Sequence, residues 1–176
     1  MIHLVLGGCR SGKSRFAEQT LLAALANAPH RHCHYVATAL GLDDEMRQRI
    51  ERHQQDRQAT GIPWHNHEVG TELTATLTAL NHKEYLVLVD CLTLWLTGWL
   101  CDAPDDYLPA KQQLLAAITE FTGHLVLVSN EVGSGIVPLG ELSRRFSDEA
   151  GWLNQAIAQQ ADKVTLVVAG LPLVLK

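Results

Sequence analysis

Three places in this 176-residue chain carry residue types suited to phosphate chemistry. The first is Gly7-Gly8-Cys9-Arg10-Ser11-Gly12-Lys13-Ser14, which fits G-x-x-x-x-G-K-[ST] and lies between a strand-like run and a helix-compatible stretch. Glycines let backbone N–H groups curl around phosphate oxygens, and the following helix aims its positive end at them. Lys13 reaches toward the β and γ phosphates and the Ser14 hydroxyl suits a magnesium ion, so the motif predicts a nucleoside triphosphate site. Arg10 is either a second cation for phosphate or a solvated arginine on the turn. The second is Asp90, which closes the apolar run 85–89, where a phosphate-loop enzyme commonly places the acid that positions its metal. Taken alone, Asp90 also suits capping a helix that begins at Cys91; beside a phosphate loop the metal reading prevails.

A third candidate is His53, in Arg49-Ile50-Glu51-Arg52-His53-Gln54-Gln55-Asp56-Arg57. Helical spacing puts Arg49 and Arg57 on the same face as His53, a face able to hold a phosphate beside a nucleophilic imidazole. Read from these residues alone, the segment is a charged, solvated helix, and its chemistry stays open. Other histidines alternate, His30, His32 and His34 in one set, His65 and His67 in another, which on a strand would place each set on one face. Without Cys or carboxylate partners at recognisable spacing, they read as solvated or edge-strand histidines rather than as a metal site.

Short apolar runs at residues 2–6, 34–37, 85–89, 125–128 and 164–168 alternate with longer helix-compatible stretches, the first at 14–26. Nearly continuous apolar strands joined by crossover helices predict an α/β fold, a mostly parallel sheet with helices on both faces. Residues 42–59 read as a mostly solvated helix, and 130–138, with its glycines and proline, as an ordered turn. The length and 47% hydrophobic content predict one domain over residues 1–176. No segment has the apolar length of a membrane span, and the first strand gives way to glycines too soon for a signal peptide, so a soluble, unprocessed, cytoplasmic protein is expected. A net charge of -5 argues against a nucleic-acid surface. Cys9, Cys33, Cys91 and Cys101 lack paired spacing and are expected as free thiols.

The ordered set of motifs resembles the bifunctional adenosylcobinamide kinase and adenosylcobinamide-phosphate guanylyltransferases. It comprises the phosphate loop, Tyr35-Val36-Ala37-Thr38, Asp43-Asp44-Glu45-Met46, Arg49-Ile50 with His53 and Arg57, and Trp64 with Glu68. It continues through Asp90-Cys91-Leu92-Thr93-Leu94-Trp95-Leu96, Asn130-Glu131-Val132-Gly133, Gly135-Ile136-Val137-Pro138, Gly151 with Asn154-Gln155, and Gly170-Leu171-Pro172. The spacer at residues 58–63 is longer than that pattern expects, and 27–34 carries extra histidines.

This resemblance implies a RecA-like P-loop fold, a trimer, and two reactions. The first phosphorylates the aminopropanol hydroxyl of adenosylcobinamide with ATP or GTP. The second passes GMP from GTP through His53 to the cobinamide phosphate, giving adenosylcobinamide-GDP. It also implies nucleotide contacts at Gly7, Gly8, Cys9, Arg10, Ser11, Gly12, Lys13 and Ser14, at Ala39, Leu40 and Gly41, at Gln54, Gln55, Asp56 and Arg57, and at Glu68 and Asp90. Lys13 and His53 are its catalytic residues, and Ser14 and Asp90 hold Mg²⁺. The base for the cobinamide hydroxyl stays open: Glu68 and Glu131 are acids in characteristic motifs, and each equally suits a structural acceptor of backbone N–H groups. Two rivals predict different behaviour. A simple P-loop kinase takes no label from α-labelled GTP, and a RecA-like ATPase acting on nucleic acid needs nucleic acid for hydrolysis.

Overall fold

The structure, a computed structural model, describes residues 1–39 and 61–176. Their elements in chain order are β1 (Ile2–Gly7), α1 (Lys13–Ala26), β2 (His32–Ala37), β3 (Trp64–Glu68), α2 (Leu73–Ala79) and β4 (Tyr85–Asp90). There follow α3 (Leu92–Asp102), α4 (Tyr107–Thr119), β5 (His124–Asn130), α5 (Glu141–Gln160), β6 (Lys163–Val168) and β7 (Leu171–Val174). The strands form one seven-stranded sheet in the order β3-β2-β4-β5-β1-β6-β7, parallel throughout except for the antiparallel β6–β7 hairpin.

The central strands are apolar on both faces because both faces are covered. On one side Val5, Leu86, Leu88, Val126 and Val128 pack with Ala17 and Leu21 of α1. On the other, Leu4, Val87, Val89, Leu125 and Leu127 pack with Leu77, Trp95, Leu114 and Leu153, one from each of α2, α3, α4 and α5. Each fully buried leucine contributes roughly 1.5–3 kcal/mol, so two stacked cores fix the register of the strands whose ends carry the site. The expected α/β class, parallel sheet and helices on both faces are present.

The five apolar runs are strands, each observed one to three residues longer than its apolar stretch. Two edge strands were not among those runs. β3 reads Trp-His-Asn-His-Glu and is half exposed, while β7 carries Pro172, which an edge position tolerates because one side of its backbone has no ladder to join. His32, His34, His65 and His67 share one face of the β2–β3 pair, whereas His30 precedes β2. His34 Nδ1 lies 3.1 Å from His67 Nε2, and the His34 ring stacks on His65 at 4.9 Å. Among the described residues no group of three His, Cys, Asp or Glu is arranged to hold a metal ion. The four cysteines are free thiols. No described helix is long and apolar enough to cross a membrane.

In the ordered turn expected at 130–138, Glu131 engages two of its loop neighbours. Glu131 accepts from the Gly133 N–H at 2.9 Å and from Ser134 Oγ at 2.7 Å. That is the structural role for Glu131, with both carboxylate oxygens engaged by its own loop. The solvated helix read at 42–59 lies outside the described residues, as do Leu40, Gly41, His53, Gln54, Gln55, Asp56 and Arg57.

Candidate nucleotide site at the carboxyl edge of the sheet

The phosphate loop leaves β1 and enters α1 with backbone angles that only part of its sequence tolerates. Arg10 (φ 55°) and Gly12 (φ 93°) are left-handed, and alternating handedness of this kind turns successive N–H groups into one concavity. Gly7 is fixed by crowding: a Cβ there would stand 2.7 Å from the Val167 carbonyl oxygen. Gly12 caps α1 without any side-chain hydrogen bond, leaving the N-terminal N–H groups of the helix for an anion. Lys13, only 5% exposed, is folded over the loop with Nζ donating to the Gly8 carbonyl at 3.1 Å. Ser11 Oγ is buried with no hydrogen-bond partner, an orphan hydroxyl inside the cradle.

Asp90 ends β4, which β5 alone separates from β1, so the acid and the loop share one edge at about 10 Å, two strand spacings. Cys91, not Asp90, is the cap residue of α3, and no side chain caps that helix, which removes the capping role considered for Asp90. Tyr35 OH donates to Asp90 Oδ2 at 3.4 Å. A buried network holds the neighbouring backbone. Thr38 Oγ1 donates to the Cys91 carbonyl at 2.6 Å and accepts from the Cys91 N–H at 3.0 Å. Cys91 Sγ lies 3.0 Å from Thr93 Oγ1, which also accepts from Asn130 Nδ2 at 2.8 Å. Burial, then the Asp90 carboxylate, push the Cys91 thiol up, while hydrogen bonds from Thr93 and Leu94 and the Lys13 ammonium pull it down.

Of the residues expected at the site, the described ones converge on this edge. Gly7 through Ser14 form the loop, Ala39 follows β2, and Asp90 ends β4. Glu68 ends β3 in register with Ala37, itself in register with Asp90, so the two acids flank one strand. A magnesium ion fits the donors present: the Ser14 hydroxyl in the first turn of α1 and the Asp90 carboxylate are hard oxygen ligands. Sequence reasoning gave no role to Thr38, Thr93 or Asn130. Their only signal was membership in the strings that carry the family resemblance, because a hydroxyl that bridges two strand ends has no spacing signature.

Residues 3–175 match the family model described as cobinamide kinase / cobinamide phosphate guanyltransferase. The chain is 49% identical over 177 residues to the bifunctional adenosylcobalamin biosynthesis protein CobP of Pseudomonas aeruginosa, covering 100% of this chain and 98% of that one. It is 39% identical over 190 residues to the bifunctional adenosylcobalamin biosynthesis protein CobU of Salmonella typhimurium, with 100% of both covered. Among solved structures, a KaiC-like protein of Pyrococcus horikoshii aligns with a TM-score of 0.48 at 14% identity, over 94% of this chain and 69% of that one, a likeness that carries no functional weight. A match running from the first strand to the last leaves no described element outside it, and the chain belongs to the family of bifunctional cobinamide kinases and cobinamide phosphate guanyltransferases.

Proposed function

We propose that the loop and Asp90 form one nucleotide site that serves both reactions on adenosylcobinamide, the second through a guanylyl group carried on His53. The observation that carries this reading is the shared edge: a phosphate cradle with an orphan hydroxyl, its lysine, and an acid two strands away. In the kinase reaction the aminopropanol oxygen attacks the γ phosphorus of ATP or GTP, the bond to the bridging oxygen breaks, and the nucleoside diphosphate leaves. In the guanylyl reaction a neutral imidazole nitrogen of His53 attacks the α phosphorus of GTP and pyrophosphate leaves. An oxygen of the cobinamide phosphate then attacks that phosphorus, and the N–P bond breaks to release adenosylcobinamide-GDP and the free imidazole.

Lys13 and the helix N–H groups stabilise charge on the leaving phosphates, and Arg57 steadies the guanylyl phosphate. Ser14 and Asp90 would hold Mg²⁺, which would supply further neutralisation of phosphate charge. Histidine suits the covalent role because its ordinary pKa leaves much of it neutral near pH 7. Glu68 serves as a nucleotide contact, together with Ala39, Leu40, Gly41, Gln54, Gln55 and Asp56.

The chain acts as one cytoplasmic catalytic domain assembled as a trimer. Support for assembly comes from exposed apolar side chains that call for cover: Ile136 and Leu139 at 97%, and Leu171 and Val174 on the outer edge of β7. The test separates the chemistries by substitution. Lys13→Ala abolishes both activities, whereas a folded His53→Ala protein loses guanylyl transfer and keeps cobinamide phosphorylation. Equal loss of both in His53→Ala would contradict the division of labour.

A further inference from the structure

The β6–β7 hairpin turn, Ala169–Gly170, has no role in the site described so far, yet it touches the phosphate loop. Val168 pairs with Leu171, so the turn is two residues long, and both have positive φ, 52° at Ala169 and 79° at Gly170. This is the tight turn whose twist matches a hairpin. Its outcome is placement: the Gly170 N–H donates to the Ser11 carbonyl at 2.8 Å. A Cβ on Gly12 would lie 3.2 Å from Gly170 Cα, so the two backbones pack closely enough that a side chain on Gly12 would push the turn back by a few tenths of an ångström. The strand beneath takes part as well, since the Val167 carbonyl is what crowds Gly7 at the other end of the loop.

We propose that Gly170 is a positioning residue for the nucleotide, its hairpin turn acting as a backrest that holds Ser11 and Gly12 in the phosphate-binding conformation. The left-handed angle of Gly12 turns the loop N–H groups inward, and the bond from Gly170 fixes the carbonyl immediately before it. Gly170 needs to be glycine for its backbone angle and not for space, because a Cβ there meets nothing within 4 Å. This gives a physical reason for Gly170 in the Gly170-Leu171-Pro172 string: an edge hairpin far along the sequence forms the rear wall of the loop near the N-terminus. The inference rests on reading that loop as the nucleotide site.

Three forms of the full chain test it by titration with GTP and Mg²⁺, by steady-state kinetics and by thermal melts. Gly170→Ala forces a side chain into the left-handed region and raises the GTP dissociation constant about five- to tenfold. An amide-to-ester replacement at Gly170 removes the donor while keeping the shape, and raises it about fivefold. Ala169→Gly keeps the donor, favours the turn and binds GTP at least as tightly as the parent. The KM for nucleotide rises in the first two forms while the KM for the corrinoid stays put, a split that a merely structural role would not produce. A lower melting temperature with GTP affinity within about twofold of the parent overturns the inference. Failure of the unaltered protein to bind GTP at all overturns instead the reading of the loop.

Discussion

Gly7→Ala probes how tightly the phosphate loop is fitted to the sheet. The new Cβ would stand 2.4 Å from Ser11 Oγ and 2.7 Å from the Val167 carbonyl oxygen, both well inside the 3.4 Å at which ordinary contact begins. The two contacts differ in how they yield. Ser11 Oγ has no hydrogen-bond partner and can rotate aside, whereas Val167 belongs to β6, whose register with β1 pairs it with Gly7 itself. The clash with Val167 has to be relieved by moving the start of the loop or by parting two strands, an overpacking cost of about 1–3 kcal/mol. Taken wholly from binding, that cost weakens GTP about five- to 150-fold. Taken from stability, it lowers the melting temperature by about 2–4 °C per kcal/mol for a chain of this size. Calorimetric titration with GTP and Mg²⁺, together with scanning calorimetry of the free protein, reads both parts. Adding Ser11→Ala to Gly7→Ala relieves only the yielding contact and recovers little. A Gly7→Ala protein with parental GTP affinity and parental melting temperature would mean that the loop is not fitted this tightly to the sheet.

Thr38→Val leaves the buried Cys91 N–H without its partner, at roughly 1–3 kcal/mol, while the Cys91 carbonyl keeps the N–H groups of Leu94 and Trp95. Chemical denaturation should show that loss, and both reaction rates should fall with it, whereas Thr38→Ser restores both. Trp95→Ala removes a fully buried ring and its bond from Nε1 to the Thr71 carbonyl, and costs about 3–5 kcal/mol in urea unfolding. Burial holds His3, His34 and His124 down at about 4, against 6.5 for a free imidazole. Between those values the unfolded chain binds protons that the folded protein refuses. Stability should therefore be full above about pH 6.5 and fall toward pH 4, by on the order of 1–3 kcal/mol per imidazole. A melting temperature flat across that window would contradict the burial of these rings.

The five apolar runs announced their strands because each strand is covered on both faces, and burial on both sides leaves a continuous hydrophobic signature. β3 left no such signature, since an edge strand is covered on one side at most, whereas β7 is apolar in sequence although its side chains are exposed. β3 could be reached only through the alternation of His65 and His67, and β7 is disguised by Pro172. The phosphate loop was legible for a different reason: its function lies in backbone geometry, and Gly7, Gly12 and Lys13 are needed at fixed spacing to produce it. Asp90 was legible by position, at the end of an apolar run. What supports Asp90 was not, because Thr38, Thr93 and Asn130 meet only when β2, β4 and β5 lie side by side. The same holds for Gly170, more than 150 residues from Ser11 in sequence and bonded to it in space.

In the proposed cycle one nucleotide site carries out phosphoryl transfer and also a covalent guanylyl transfer through His53. Its most direct measurement incubates the purified protein with Mg²⁺ and GTP labelled at either the α or the γ phosphate, followed by intact mass and by the acid and base stability of any protein-bound label. The account predicts one GMP per chain from α-labelled GTP alone, acid-labile, base-stable and absent from His53→Ala. No covalent label under turnover conditions would contradict it and leave a simple phosphate-loop kinase in its place.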